Sequence, residues 1–197
     1  MSPRTIRGPG VRSPMHSSKK ENKMSNTAVK SPIPTLANSP FKKDVLKGRV
    51  VVITGGATGI GYACSLAFGL HGCKVAIMSR RKKVIMEAVE KLRSRGIDAF
   101  GTTVDVRDAA RCVEAVNECV KHFGRLDFLI NNAAGNFMVS SENLSPGGFA
   151  TVLGIDLQGC FHMSKAVLPH MKVTGPKTGA VIINITANLQ DYATPFQ

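Results

Sequence analysis

The chain has 197 residues, of which 43% are hydrophobic, and this is enough for one globular domain and a tail. Its formal net charge is +13, but residues 1–43 hold nine Lys and Arg against one acid, Glu21. Because the basic excess is concentrated in this segment, no nucleic-acid partner is predicted for the folded part. No apolar run approaches the ~18 residues of a membrane span. Five cysteines, an odd number without metal-ligand spacing, predict buried free thiols and no metal site.

Residues 1–43 have the composition of a disordered segment. They contain six of the ten prolines, four Ser-Pro pairs and few large apolar side chains. Such a segment cannot bury enough apolar surface to fold. It is interpreted as a solvated extension, with a targeting peptide or a phosphorylated docking arm as alternatives. Residues 44–197 form the predicted domain.

From residue 47 onward, short apolar runs alternate with helical periodicity. Strands are predicted at 49–54, 74–78, 100–104, 127–131 and 180–185. Between them lie helices at about 59–70, across 85–92 and 112–123, and a long one over about 146–171. Strands alternating with helices of this length predict an α/β fold with a parallel sheet covered on both faces.

A glycine-rich turn follows the first strand and precedes the first helix. Glycine allows the backbone to approach an anion closely, and a helix start offers free N–H groups and a positive dipole end. The spacing is T-G-x-x-x-G-x-G, formed by Thr54, Gly55, Gly59, Ile60 and Gly61. This motif resembles the short-chain dehydrogenase/reductase family. The resemblance implies a Rossmann-like doubly wound parallel sheet of order 3-2-1-4-5, here truncated before the last two strands, and assigns these five residues to cofactor binding.

Four cations follow the second strand, beginning with Arg80 and Arg81. In dinucleotide-binding folds an acid at this place binds the ribose 2′-hydroxyl, whereas an Arg suits the 2′-phosphate of NADP. Four cations at a helix N-terminus also oppose the helix dipole, which favours an anionic ligand. NADPH is therefore the predicted cofactor, with Arg80 preferred over Arg81 as the phosphate ligand. A solvated helix start is the alternative.

Two further segments receive cofactor roles from the resemblance. Asp105 and Val106 end the third strand, and in the family this Asp binds the adenine ring; from the residues alone it equally suits a helix N-cap. The fourth strand leads into N-N-A-A-G, which matches the family's N-N-A-G with one inserted residue. The implied cofactor contacts there are Asn132, Ala133, Ala134 and Gly135.

Asn136 and Phe137 extend that loop to N-N-A-A-G-N-F, which resembles the 2,4-dienoyl-CoA reductases. In that branch the Asn donates to the thioester oxygen, where hydride addition leaves negative charge. The resemblance therefore implies that Asn136 is catalytic and that both residues contact substrate. A turn-forming Asn after Gly is the alternative.

Asp156 is flanked at helical spacing by Val152, Leu153, Gly159 and Cys160, which predicts an apolar environment for its carboxylate. Unpaired carboxylates in such places are costly and cluster at functional sites. Most of the family carries Asn here, and the change resembles the peroxisomal type of dienoyl-CoA reductase, in which an Asp and a Lys are the acid–base groups. The resemblance makes Asp156 catalytic. The alternative is a structural Asp paired to a Lys or to backbone.

The fifth strand is followed by Ala187, where the family's usual pattern has its catalytic Ser. The family's Tyr and Lys are expected beyond Gln197, so the chain is interpreted as an N-terminal portion. The implied parent is a peroxisomal homo-oligomer that reduces 2,4-dienoyl-CoA to 3-enoyl-CoA with NADPH; the mitochondrion is the alternative location. Alternative functions are another acyl-CoA or carbonyl reductase, or a cofactor-binding fragment without turnover.

Overall fold

The computed structural model describes residues 35–187 and contains one parallel five-stranded sheet. Its strand order is β3-β2-β1-β4-β5, which confirms the order 3-2-1-4-5. The carboxyl ends of parallel strands share one edge of the sheet, so the turns that follow them lie together. The strands are β1 Val50–Thr54, β2 Lys74–Ser79, β3 Ala99–Thr103, β4 Phe128–Asn131 and β5 Val181–Asn184.

Helices cover both faces of the sheet because alternate residues of its strands point to opposite sides. Val50 and Val52 pack in one core cluster with residues of α3 and α5, whereas Val51 and Ile53 pack in another with residues of α1 and α2. All four side chains are fully buried. The helices are α1 Gly59–Leu70, α2 Lys82–Arg93, α3 Ala109–Phe123, α4 Pro146–Leu153 and α5 Gly159–Thr178.

The long helix predicted over about 146–171 differs from the structure in two ways. A π-helical turn, Gly154–Gln158, separates α4 from α5. In addition, α5 continues past Met171 to Thr178 although Pro169 and Pro176 lie inside it. Thr174 connects this last part of α5 to the segment just before β4, because its hydroxyl donates to the Leu126 carbonyl at 2.7 Å.

At the amino edge of the sheet, a buried carboxylate joins two strands. Asp127 precedes β4 and is fully buried. Its Oδ2 accepts the backbone N–H of Val50 at 2.9 Å, and Arg125 donates to both carboxylate oxygens at 2.9 and 2.5 Å. The ion pair raises the pKa of the Arg125 guanidinium. Asp127 is therefore a charged link between the start of β1 and the start of β4.

The cysteines are all free thiols, as predicted, but their burial is uneven. Cys73, Cys112 and Cys119 are buried, whereas Cys64 and Cys160 are partly exposed. Burial raises the pKa of the Cys73 and Cys119 thiols to about 12 and that of Cys112 to about 11. The three buried thiols are therefore protonated at neutral pH and serve as apolar core residues.

The predicted disordered tail lies mostly outside the described residues, which begin at 35. Its last part, 35–43, contains a short 3₁₀ turn, Leu36–Asn38, followed by two contacts with the end of α1. Ser39 hydrogen-bonds to His71 at 2.7 Å, and the Phe41 ring meets the His71 ring edge-on. These contacts give residues 39–41 specific partners despite a composition that favours disorder. Within the described residues, no helix combines the length and apolarity that crossing a membrane requires.

Candidate cofactor and catalytic site

The turn between β1 and α1 is held in shape by glycines. Gly55 has φ +65°, a backbone region that favours glycine, and its N–H donates to the Met78 carbonyl at 2.7 Å. At Gly61 a Cβ would lie 2.3 Å from the Gly55 oxygen and 2.5 Å from Nδ2 of Asn132. No side chain fits at that point. The glycine turn is thus packed directly against the loop after β4, and the N-terminus of α1 lies next to this turn.

Thr54 links the glycine turn to the loop after β4. Its Oγ1 accepts the backbone N–H groups of Asn132 and Ala133 at 2.9 and 3.0 Å, and Nδ2 of Asn132 donates to the Thr54 carbonyl at 3.0 Å. The Thr54 side chain is buried and does not line the cavity described below. The structure therefore places it behind the predicted cofactor site, where it positions the Asn132–Ala133 backbone.

A cavity of about 360 Å³ opens at the carboxyl edge of the sheet, next to the glycine turn. Most of the predicted cofactor residues line it: Gly55, Ile60, Gly61, Arg80, Arg81, Asp105, Val106, Asn132, Ala133 and Ala134. Gly59 and Gly135 do not. The cavity wall also includes Thr58, Met78, Ser79, Val104 and Ile155, which the sequence reasoning missed. Thr58, Ser79, Val104 and Ile155 each adjoin a predicted site residue, whereas Met78 lies one residue further back on β2.

Arg80 and Arg81 are exposed at the cavity rim, between β2 and α2. Neither guanidinium makes a hydrogen bond or an ion pair with any side chain in the part of the chain that the structure describes. The first turn of α2 contains no acid, and no side chain caps its N-terminus. Positive charge is therefore concentrated here without a hydrogen bond to a described acidic side chain, which leaves it available to a phosphate. The same arrangement also suits a solvated helix start, so this alternative stays open.

Asp105 lies at the cavity wall and is already engaged by a neighbour. Arg107 donates from Nε and Nη2 to its carboxylate at 3.0 and 2.6 Å, and from its backbone N–H at 3.1 Å. These bonds, above all the side-chain ones, lower the pKa of Asp105, and the charge of Arg80 contributes. The N-cap interpretation of Asp105 is wrong, because Asp108 caps α3 by accepting the Arg111 N–H at 3.0 Å.

The predicted apolar environment of Asp156 is wrong. Asp156 is exposed, and it lies within the π-helical turn, which changes the angle between successive side chains. A regular helix of period 3.6 had been assumed. Its Oδ1 accepts the N–H of Gly135 at 2.8 Å, so backbone is one partner of the carboxylate. The π-helical turn thereby connects Asp156 to the loop that precedes Asn136, and turns of this type are frequent at functional sites.

Asn136 and Phe137 follow directly after this contact, and both are exposed. The Asn136 amide makes no hydrogen bond with the residues that the structure describes. Phe137 lines a second cavity of about 520 Å³, together with the start of α4. The loop 132–137 therefore runs from the first cavity to the second. Apolar lining residues of the second cavity are Phe137, Met138, Val139 and Leu144.

Comparison with known proteins identifies the family. Residues 49–197 match the family model described as short chain dehydrogenase. The chain belongs to the short-chain dehydrogenase family. Over 168 residues the chain is 50% identical to an Arabidopsis thaliana protein named peroxisomal 2,4-dienoyl-CoA reductase [(3E)-enoyl-CoA-producing]. The match covers 81% of the chain and 55% of that relative. The chain thus spans about half the length of the curated relatives it matches.

Solved structures of the same fold include one with bound NAD⁺ and one with NADPH. The NAD⁺-bound structure of a xylitol dehydrogenase aligns with a TM-score of 0.71 at 27% identity, covering 77% of this short-chain dehydrogenase and 57% of that chain. A variant of an actinorhodin polyketide ketoreductase with NADPH aligns with a TM-score of 0.69 at 27% identity, covering 74% and 56%. The family comparison therefore supports a nicotinamide cofactor without deciding between the two forms.

Proposed function

We propose that this short-chain dehydrogenase reduces a 2,4-dienoyl-CoA to a 3-enoyl-CoA with NADPH, as a step in the peroxisomal β-oxidation of unsaturated fatty acids. The observation that carries the proposal is the bond from Gly135 N–H to Asp156, which joins N-N-A-A-G-N-F to the unusual Asp of the π-helical turn. The 50% identical relative of that name adds support, and its name is the basis for the peroxisomal location. The mitochondrion is the alternative location.

The first cavity suits the dinucleotide. The start of α1 packs closely against the glycine turn, with no room for a Cβ at Gly61. A pyrophosphate would bind at the N-terminus of this helix. Arg80 and Arg81 would hold the 2′-phosphate, Asp105 and Val106 the adenine, and residues 132–134 the nicotinamide end. When bound, NADPH supplies the hydride.

Two residues would stabilise the negative charge on the thioester oxygen and transfer a proton near the reacting carbonyl. The Asn136 amide is free of protein hydrogen bonds among the described residues, so it can donate to the thioester oxygen of the substrate. There it stabilises the negative charge that develops when the diene is reduced. Oδ1 of Asp156 is engaged by Gly135, whereas Oδ2 has no hydrogen-bond partner within the described residues. That oxygen is available to hold or transfer a proton near the reacting carbonyl.

The second cavity suits the acyl part of the substrate. It begins at Phe137, one residue from the proposed oxyanion donor, and continues along the start of α4. Its side chains are largely apolar, and none of its lining residues in the described part of the chain is charged. Apolar surface of this kind favours a hydrocarbon chain by the hydrophobic effect.

A homo-oligomer is proposed from an exposed apolar stripe on α4, the π-helical turn and α5. Phe149, Leu157 and Phe161 are 56%, 65% and 61% exposed, and Leu153 and Leu168 extend the row. A patch of this kind commonly marks a protein interface. Sedimentation of the whole protein as a monomer at micromolar concentration would contradict this assembly.

Gly61→Ala is expected to weaken NADPH binding by about 10- to 100-fold, in line with the ~1–3 kcal/mol cost of overpacking. The new Cβ has to displace the Gly55 carbonyl or Asn132, and both shape the cavity. Titration followed by NADPH fluorescence measures the affinity. Gly147→Ala is the control, because a Cβ there enters open space. Equal affinity of the parent and a folded Gly61→Ala protein would remove the glycine turn from the cofactor site.

Arg80→Ala tests the choice of cofactor. NADPH binding should lose ~1.5–3 kcal/mol, the range for hydrogen bonds to charged groups, while NADH binding changes little because it lacks the 2′-phosphate. Arg95→Ala removes the same charge from an exposed loop at the other end of α2 and should affect neither nucleotide. If NADPH and NADH bind the parent protein equally, the assignment of Arg80 is wrong.

The reaction itself is tested by turnover in the whole protein. A 2,4-dienoyl-CoA, a 2-enoyl-CoA and a simple ketone are offered with NADPH, and product formation is followed at the absorbance of the nucleotide. We expect the dienoyl-CoA to be preferred and the product to be a 3-enoyl-CoA. Preference for either other substrate would favour another acyl-CoA or carbonyl reductase. Nucleotide binding without turnover of any of the three would favour a non-catalytic module.

A further inference from the structure

One Ser-Pro pair of the N-terminal segment lies within the described residues, and it is part of a specific contact. Ser39 precedes Pro40 and has an extended backbone, with φ −93° and ψ 133°. This conformation is the one that a following proline favours. Lys42 and Lys43 follow at the third and fourth positions after Ser39, and both are exposed. An extended Ser-Pro with a cation three residues later is the peptide pattern that proline-directed protein kinases accept.

The Ser39 hydroxyl is the donor in its bond to His71. Nδ1 of His71 lies 2.7 Å from the Ala67 carbonyl, which can only accept, so Nδ1 carries the hydrogen in a neutral ring. Nε2 of the same ring is then an acceptor. Ser39 therefore donates its O–H to Nε2 at 2.7 Å. This bond needs the hydroxyl hydrogen, which a phosphate ester lacks.

His71 holds the chain before β1 at two points. One is the Ser39 hydroxyl, and the other is the backbone N–H of Leu46, which donates to the His71 carbonyl at 3.0 Å. The Phe41 ring lies edge-on against the imidazole between these points. We call residues 39–46 the clasp. His71 is also the C-cap residue of α1, where unpaired carbonyls give the helix its negative end.

We propose that Ser39 is a phosphorylation site for a proline-directed kinase and that its modification opens the clasp. The Ser39 oxygen forms a bond to the γ-phosphorus of ATP, the bond from that phosphorus to the bridging oxygen breaks, and ADP leaves. The hydroxyl proton passes to a base of the kinase. The product loses the hydrogen that His71 accepts and places negative charge at the C-terminal end of α1, where phosphate is disruptive.

Ser145-Pro146 provides an internal comparison, because it has the same dipeptide in a different setting. The Ser145 hydroxyl accepts the N–H of Gly148 at 3.0 Å, and Pro146 already begins α4. Gly148 and Phe149 stand at the third and fourth positions after Ser145, in place of the cations. The Ser145 site is therefore occupied as a helix cap and lacks the basic residue, so we expect no transfer to it.

The test uses the full chain, a proline-directed kinase and ATP, followed by mass spectrometry of the peptides. Phosphate is expected on Ser39, absent in Ser39→Ala and unchanged in Ser145→Ala. The rate of trypsin cleavage after Lys42 and Lys43 then reports whether the clasp is open. Loss of one hydrogen bond of ~1 kcal/mol corresponds to cleavage about fivefold faster in the phosphorylated chain.

Two variants separate the modification from a general loosening. Unmodified Ser39→Ala should already be cleaved at the raised rate and should not respond to the kinase. His71→Phe keeps a ring for Phe41 but lacks Nε2, so phosphorylation should accelerate its cleavage less than it does in the parent. Phosphate found on other Ser-Pro pairs but not on Ser39 would show that Ser39 is not the phosphorylation site. Phosphate on Ser39 with equal or slower cleavage overturns the opening of the clasp. None of these readouts depends on the proposed reductase activity.

Discussion

Asp156→Asn is expected to lower turnover of a 2,4-dienoyl-CoA by ~10²- to 10⁴-fold, the usual contribution of general acid–base catalysis. The Asn oxygen can still accept the Gly135 N–H, so the loop before Asn136 keeps its support. The amide cannot take or give a proton at neutral pH. We therefore expect the melting temperature and NADPH affinity to stay close to those of the parent. The rate is measured in a chain that extends over the length of the curated relatives.

Asp156→Ala is the companion variant, because it removes both the proton-transferring oxygen and the acceptor for Gly135. Hydrogen exchange at the Gly135 amide should be accelerated in Asp156→Ala and unchanged in Asp156→Asn. If Asp156 served only to hold the loop, the Asn variant would retain turnover and the Ala variant would lose it. Near-parental turnover in a well-folded Asn variant would exclude Asp156 from proton transfer.

Asp127→Ala is expected to lower the free energy of unfolding by ~3–5 kcal/mol, the cost of breaking a buried ion pair by removing one partner. The Val50 N–H and two groups of Arg125 each lose a hydrogen bond to this carboxylate. A buried donor without a partner is costly, and the partly buried guanidinium loses its counter-charge. Chemical denaturation followed by circular dichroism measures the change.

Asp98→Ala is the matched control, because Asp98 also pairs with a cation beside the sheet. Its carboxylate is 3.7 Å from Lys74, and both side chains are well exposed. Exposed pairs contribute ~0–1 kcal/mol, so this variant should unfold close to the parent. Comparable losses in the two variants would show that burial of Asp127 adds nothing to its contribution.

The fold could be predicted from the sequence because its signals are local and repeated. Four of the five strands are short apolar runs, and α2 and α3 each show a regular apolar face. The glycine turn is also local, since backbone geometry restricts which residues can stand at Gly55 and Gly61. Strand order came from the family resemblance, and the structure confirms it. Residues lining the first cavity were largely predicted for the same reason, as they follow strand ends.

The remaining features depend on contacts between distant residues. Arg107 engages Asp105 through a side-chain conformation that no spacing rule specifies. The sequence did not predict that Ile155 lines the first cavity, and it predicted an apolar environment for Asp156. Both errors arise because the helical period was taken as constant through the π-helical turn. Thr54 was assigned to the cofactor, although its hydroxyl is used by the loop after β4. The contacts of His71 were not predicted, since its partners Ser39 and Phe41 lie in a segment whose composition predicts disorder.

The π-helical turn also restricts how this part of the chain can evolve. One residue of an α-helix corresponds to about 100° of rotation and 1.5 Å of rise. Deleting a single residue from 154–158 would therefore rotate α5 relative to α4 by roughly that angle. Gly159, whose Cβ would lie 2.5 Å from the Val106 side chain, would lose its close contact with the loop after β3. A change in the length of this segment would therefore break the alignment between the two halves of the helix.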